Sequence, residues 1–211
     1  MMDDDAVYAA RLELIDFLVD AFWDTPSAVF VEDLLDGEVE LPEESVTPEL
    51  DEGFEMLEEW IATNEDRDPE SVRAELETEY TELFVGPRPP VLPHETYYRE
   101  DADFLSEGLA DVEESYNAVG WEPPEEYPEE PDFVAVELAF LRHLVERQRA
   151  GEVEAFGYER VFLDEHLLTW VDAFLEDVRE AAEPGLFLSA GLVFRGLVAF
   201  EDELVAQMVP G

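Results

Sequence analysis

Apolar positions recur along this chain at helical spacing in nearly every segment long enough to show a period. Over residues 6–23, Tyr8, Leu12, Ile15, Val19 and Phe22 return at steps of three or four, and Leu14 and Leu18 widen the face. That is the pattern of a helix with one buried side. Thr25-Pro26 closes it, and Ser27 is placed to cap a short successor ending at Leu35, its hydroxyl accepting from an otherwise orphaned amide. A polar loop is expected over 37–47. Thr47-Pro48 and Asp68-Pro69 then repeat one start signal, a capping side chain followed by a proline at the first helical position. The first opens a helix with Leu50, Phe54, Leu57, Trp60 and Ile61 on one side; the second opens one carrying Val72, Leu76, Tyr80, Leu83 and Phe84.

Residues 103–119 read as a further helix through Phe104, Leu105, Leu109, Val112 and Tyr116, stopped by Gly120. WEPPEEYPEE, 121–130, is a proline-rich connector. Pro131 is the expected start of a helix that runs by Phe133, Val134, Val136, Leu138, Phe140, Leu141, Leu144 and Val145 to a stop at Gly151. Because it is apolar around most of its circumference, it is expected to be the most buried. Residues 158–178 present Val161, Phe162, Leu167, Trp170, Val171, Phe174 and Leu175, and Pro184-Gly185 breaks that helix. Two stretches, 186–200 and 201–208, are predicted to finish the chain. There is no strand alternation longer than a few residues, no internal repeat and no heptad run. The pattern predicts one all-α globular domain over 1–211, with eight to ten helices joined by short loops apart from two proline-rich connectors.

The first connector lies in YTELFVGPRPPVLPHETYY, residues 80–98. Pro87, Pro89, Pro90 and Pro93 remove four backbone donors, fix their own φ and push the residues before them towards extended conformations. Such a loop is no helix, yet Val91, Leu92, Tyr97 and Tyr98 make it too apolar for a solvated linker. It is either a strap lying over the core or one wall of a groove.

Charge narrows the partners. The chain holds 57 acidic and 11 basic residues, a formal net charge of −46, and every basic residue is arginine. At ordinary ionic strength this density repels itself, whereas in molar salt the screening length falls to roughly 3 Å. The acidity therefore reads as an adaptation to a salt-rich interior, and no single acidic patch identifies a basic partner. No basic patch exists to neutralise phosphates, which disfavours nucleic acid. With no cysteine, disulfides, thiolate metal sites and cysteine nucleophiles are excluded. The acidic N-terminus lacks the basic start of an export signal, and the longest apolar run, 185–200, is interrupted by Ser189 and Arg195 and too short for a membrane span. A soluble, intracellular protein is expected.

Signals for catalysis are sparse. His94, His143 and His166 are far apart in sequence and in no metal-ligand spacing. Gly86-Pro87 runs into prolines, which lack the amides of a phosphate cradle, and no serine elbow appears. Binding remains: two proline-bounded connectors could frame a groove for an extended or helical apolar peptide. Asp132, just after the expected helix start, either contributes to the cap or meets a cationic group on that peptide.

The segment 80–98 resembles the signature of the TorD/DmsD family at Tyr80, Leu83, Phe84, Gly86, Pro87, Pro89, Pro90, Glu95 and Tyr98. EEPDFVAVELAFL resembles a second family block at Asp132, Glu137, Leu138 and Phe140, and FLDEHLLTWVDAF a third at Phe162, His166, Leu167, Trp170 and Phe174. The blocks come in family order. Two departures stand out: Phe133 follows Asp132 where many members carry histidine, and Val91-Leu92-Pro93-His94 replaces a shorter step in the loop.

The resemblance implies an all-helical cytoplasmic chaperone, not an enzyme, that assists maturation of a molybdopterin oxidoreductase. Its partner would be the catalytic subunit, as its twin-arginine signal peptide, its apo form, or both, with export held back until the cofactor is inserted. It implies no cofactor or metal of the chaperone's own, and a monomer or a dimer formed by exchanging helices. Guanine nucleotide binding, proposed for some members, finds no phosphate loop here. The expected peptide site comprises Tyr80, Phe84, Pro90, Val91, Leu92, Glu95, Tyr98, Asp132, Phe133 and His166. Phe84, Val91, Leu92, Tyr98 and Phe133 would form an apolar wall, and Asp132 and Glu95 would orient the arginines. Two alternatives stay open: a nitrate-reductase-type assembly chaperone acting on the mature subunit, and a helical metal-dependent hydrolase.

Overall fold

A computed structural model describes residues 4–37, 46–99, 105–124 and 130–208. Among them are nine α-helices, α1 (Asp4–Phe22), α2 (Ala28–Leu35), α3 (Pro48–Asn64), α4 (Pro69–Phe84), α5 (Leu105–Val119), α6 (Val134–Arg149), α7 (Glu154–Phe162), α8 (Leu168–Ala181) and α9 (Leu186–Met208). No strand is present among the described residues; a lone antiparallel bridge joins His94 to Phe133. Much of the expected loop at 37–47, the expected helix start at 103–104 and the middle of the second connector lie outside the described residues.

The start signals act as the sequence requires. Ser27 accepts from the Phe30 amide at 3.1 Å, Thr47 from Leu50 at 3.2 Å and Asp68 from Ser71 at 3.1 Å. Gly120, at φ +69°, turns the chain after α5 in a conformation that costs other residues a Cβ clash.

α9 is the axis of the molecule. It packs against α3, α8, α1 and α7, while α1 also lies along α6 and α2 along α4. From Leu186 to Val198 every residue of α9 but Arg195 is buried, so it shares with α6 the central place expected of α6 alone. Phe22 joins three sectors of the core: its ring meets Phe84, Phe174 and Phe194 at centroid distances of 6.0, 5.6 and 6.4 Å. Four helices converge on one buried cation. Arg11 of α1 donates to Glu201 of α9 at 2.9 and 2.6 Å, to Glu159 of α7 at 3.1 Å and to Gln148 of α6 at 2.9 Å.

Three expected boundaries move. α6 begins at Val134, because Pro131 and Asp132 form a turn whose carbonyls and carboxylate are engaged elsewhere. The stretches 186–200 and 201–208 are one helix, since nothing at Phe200-Glu201 interrupts the backbone ladder. The helix expected over 158–178 begins at Glu154 and carries a five-residue π turn, Leu163–Leu167, between α7 and α8. Val161, expected among the apolar residues presented by that helix, lies before the turn and is 48% exposed.

Candidate peptide-binding site

The proline segment is a strap. The Val91 amide donates to Leu83 at 3.1 Å, tying it to the end of α4. Further on, Glu95 N donates to Asp132 O at 3.0 Å and Val134 N to Pro93 O at 2.9 Å, closing it on the start of α6. A single 3-10 turn, Glu95–Tyr97, then turns Glu95 and Thr96 inward and leaves Tyr97 exposed. Val91 is fully buried and Leu92 half-buried, with Pro90 left exposed.

Burial divides the residues expected in the groove. Tyr80, Phe84, Val91 and Phe133 are core residues and line none of the open clefts found among the described residues. The chain fills that space itself: Tyr80 donates its hydroxyl to Phe22 O at 2.9 Å, and the rings of Tyr80 and Phe84 pack on Phe187 at 5.8 and 5.6 Å. Phe133 lies against Trp23 and His94, at 6.3 and 5.3 Å between centroids. Tyr98 stacks on Trp170 at 5.7 Å and donates to Asp177 at 2.9 Å; burial and then this carboxylate push its phenol well up.

The expected polar residues are brought together, but inside. Asp132 accepts from the Thr96 amide at 3.2 Å and from the Thr96 hydroxyl, and its other oxygen pairs with His94 Nδ1 at 3.1 Å. Burial alone would raise this carboxyl; the hydrogen bonds of His94 and Thr96 outweigh it and hold the carboxyl below the usual range. The imidazole that faces Asp132 thus comes from the strap. Glu95, fully buried, accepts from Arg99 Nη1 at 2.9 Å and faces His166 Nδ1 at 2.9 Å, while His166 Nε2 lies 2.9 Å from Ser115 Oγ. Glu137 completes the group: burial first, then the charges of Glu95 and Asp132, push its carboxyl well up.

The chain Ser115–His166–Glu95 has the connectivity of a hydrolytic triad. Ser115, however, lies within α5, where its own amide belongs to the helix ladder and is not free to hold an oxyanion. The chain instead locks the strap, α5 and the π turn together. No group of three or more histidine, aspartate or glutamate side chains among the described residues is arranged to hold a metal ion. No helix among them is long and apolar enough to cross a membrane.

What the network supports is a surface cleft of about 470 Å³ between α5 and the π turn, with His166, Ser115 and Arg99 at its base and Asp111, Glu114, Asp164 and Glu165 around it. Of the residues expected in the site, His166 borders this opening, and the exposed Pro90 and half-buried Leu92 and Tyr98 belong to the strap. Sequence reasoning missed Ser115, Arg99 and the acidic rim, since any one of 57 carboxylates looks like the rest.

The all-helical scaffold, its strap closed over the core and a polar cleft beside it, is that of a chaperone family. Residues 44–176 match the family model described as nitrate reductase delta subunit, and the chain belongs to that family of TorD-like chaperones. It is 28% identical over 164 residues to the chaperone protein TorD of Vibrio parahaemolyticus, covering 74% of this chain and 72% of the relative. It is 27% identical over 156 residues to TorD of Vibrio cholerae, at 70% of both chains, and 24% identical over 144 residues to TorD of Vibrio atlanticus, at 65% and 67%. These relatives carry the name of a chaperone, a role that is not enzymatic.

Proposed function

We propose that this protein is a cytoplasmic maturation chaperone for a molybdopterin oxidoreductase. It binds the twin-arginine leader of the catalytic subunit, its apo form, or both, assists cofactor insertion and delays export. The observation that carries the reading is the cleft beside His166. Its rim concentrates carboxylates at the end of a rigid strap, and a guanidinium entering it would meet charged acceptors at contact distance. Pro90, Leu92, Tyr98 and His166 border the bound chain. Tyr80, Phe84, Val91, Glu95, Asp132 and Phe133 act from behind, by fixing the strap.

Calorimetry in molar KCl with a synthetic leader peptide is the direct test. We expect saturable binding that weakens at least about tenfold when both arginines become glutamine, a loss of about 1.4 kcal/mol. The Glu114→Gln/Glu165→Gln pair should reproduce that loss. Absence of binding to both the leader and the apo subunit would sink the reading. The match to a nitrate reductase delta model favours a second possibility, action on the mature subunit. Recovery of an apo subunit that lacks its leader, with no leader binding, would select it.

A further inference from the structure

Beside the acidic cleft the surface changes character. A trough of about 270 Å³ runs between α5 and α7, floored by Phe140 and walled by Ala118, Tyr158 and Val161. It shares Glu114, Ser115 and Glu165 with the cleft, so the two are one continuous groove, polar at the His166 end and apolar at the α7 end. Tyr158 and Val161 are 37% and 48% exposed and stand three residues apart on one face of α7. Single exposed apolar side chains are ordinary on protein surfaces. Two side by side over an aromatic floor, continuous with a charged cleft, form a surface with two chemistries in a fixed order.

We infer that this trough receives the apolar segment of the same peptide whose cationic end occupies the cleft; the inference rests on the peptide-binding reading above. The charge order selects the occupant. A bound segment must place cations against Glu114 and Glu165 and apolar residues against Tyr158 and Val161, within one short stretch of chain. A second copy of this protein is a poor occupant, because at a net charge of −46 it would bring acidic surface to an acidic rim. The apolar wall is therefore α7 and not the strap: Val91 and Phe133 are sealed in the core, whereas Tyr158 and Val161 face solvent. Val161 faces out from α7, while His166, five residues on and inside the π turn, points in.

The experiment uses the full chain in molar KCl with two synthetic peptides. One carries paired arginines followed by a leucine-rich run; in the other the run is replaced by serine and glycine. The variant is Tyr158→Ser/Val161→Ser, whose positions are exposed, with an unchanged melting temperature as the check on folding. We expect the variant to bind the first peptide tenfold or more weakly than wild type and the second with unchanged affinity. Undiminished binding of the first peptide by the variant, or equal losses for both peptides, would overturn the inference while leaving the peptide-binding reading in place. Failure of the wild-type chain to bind either peptide would remove both together.

Discussion

Glu137 carries its carboxyl into the space between the strap and α8, where Oε2 accepts from Trp170 Nε1 at 3.2 Å and Oε1 finds no donor. As an anion it would be a buried charge beside two others; as an acid it gains a donor that Glu95 can accept, and this is the form the site favours. The direction of the pH effect follows. An unfolded glutamate loses its proton near 4.5, while the folded chain retains it to higher pH. The native state therefore binds the extra proton above that value. The contribution of Glu137 to stability is complete below the unfolded value and is lost as pH rises through the folded one. Glu137→Gln should thus match wild type near pH 4.5 and exceed it increasingly above, by up to about 1.4 kcal/mol for each pH unit crossed. Thermal melts of both proteins at several pH values in molar salt will read this, and a constant difference would refute it. None of this was visible in the chain as a string. Glu137 was flagged by family likeness alone, and the pairing of His94 with Asp132 joins residues 38 apart that no local rule connects.

At the scale of elements, α3 and α9 approach so closely that glycine is required. A Cβ on Gly196 would lie 2.6 Å from Leu50 Cγ and 2.8 Å from the Leu50 amide nitrogen, and the backbone cannot give way as a flexible side chain can. Gly157 in α7 offers the contrast, with nothing within 4 Å of its Cβ position. Alanine raises helix propensity at both sites by about 1 kcal/mol. At Gly196 overpacking of about 1–3 kcal/mol opposes it. Denaturant titrations should show Gly157→Ala stabilised and Gly196→Ala destabilised, and a gain at Gly196 would mean that the helices sit farther apart than described. Helix starts were legible because Thr47-Pro48, Ser27 and Asp68-Pro69 state them locally. The π turn was not, since a one-residue change of phase within an apolar helix leaves the composition untouched and alters only which residues face out. Val161, grouped with the buried residues of its helix, is exposed, and the apolar half of the candidate groove was missed with it.

For the molecule as a whole, the all-helical architecture was legible in the hydrophobic period, and the groove was not, because a groove is a relation between helices. The strap was half legible: its prolines announced stiffness, but whether it covered core or bordered a gap depended on Phe187 and Trp23, distant in sequence. Charge now sets two opposed responses to salt. Among the described residues ten arginines pair with carboxylates, and with 57 acidic residues to 11 basic ones most of the acidic surface has no internal counter-charge. Raising KCl from about 0.1 to about 1 M shortens the screening length from roughly 10 to roughly 3 Å and relieves that repulsion. The melting temperature should therefore climb over this range, and a flat profile would show that self-repulsion does not limit the fold. A cationic peptide feels the reverse, since the same ions weaken the long-range pull of the acidic surface on its arginines. Its association rate should fall with salt while the protein grows more stable. The affinity that survives in molar KCl would then come from contacts within the screening length, the carboxylates at the cleft and the apolar trough on α7.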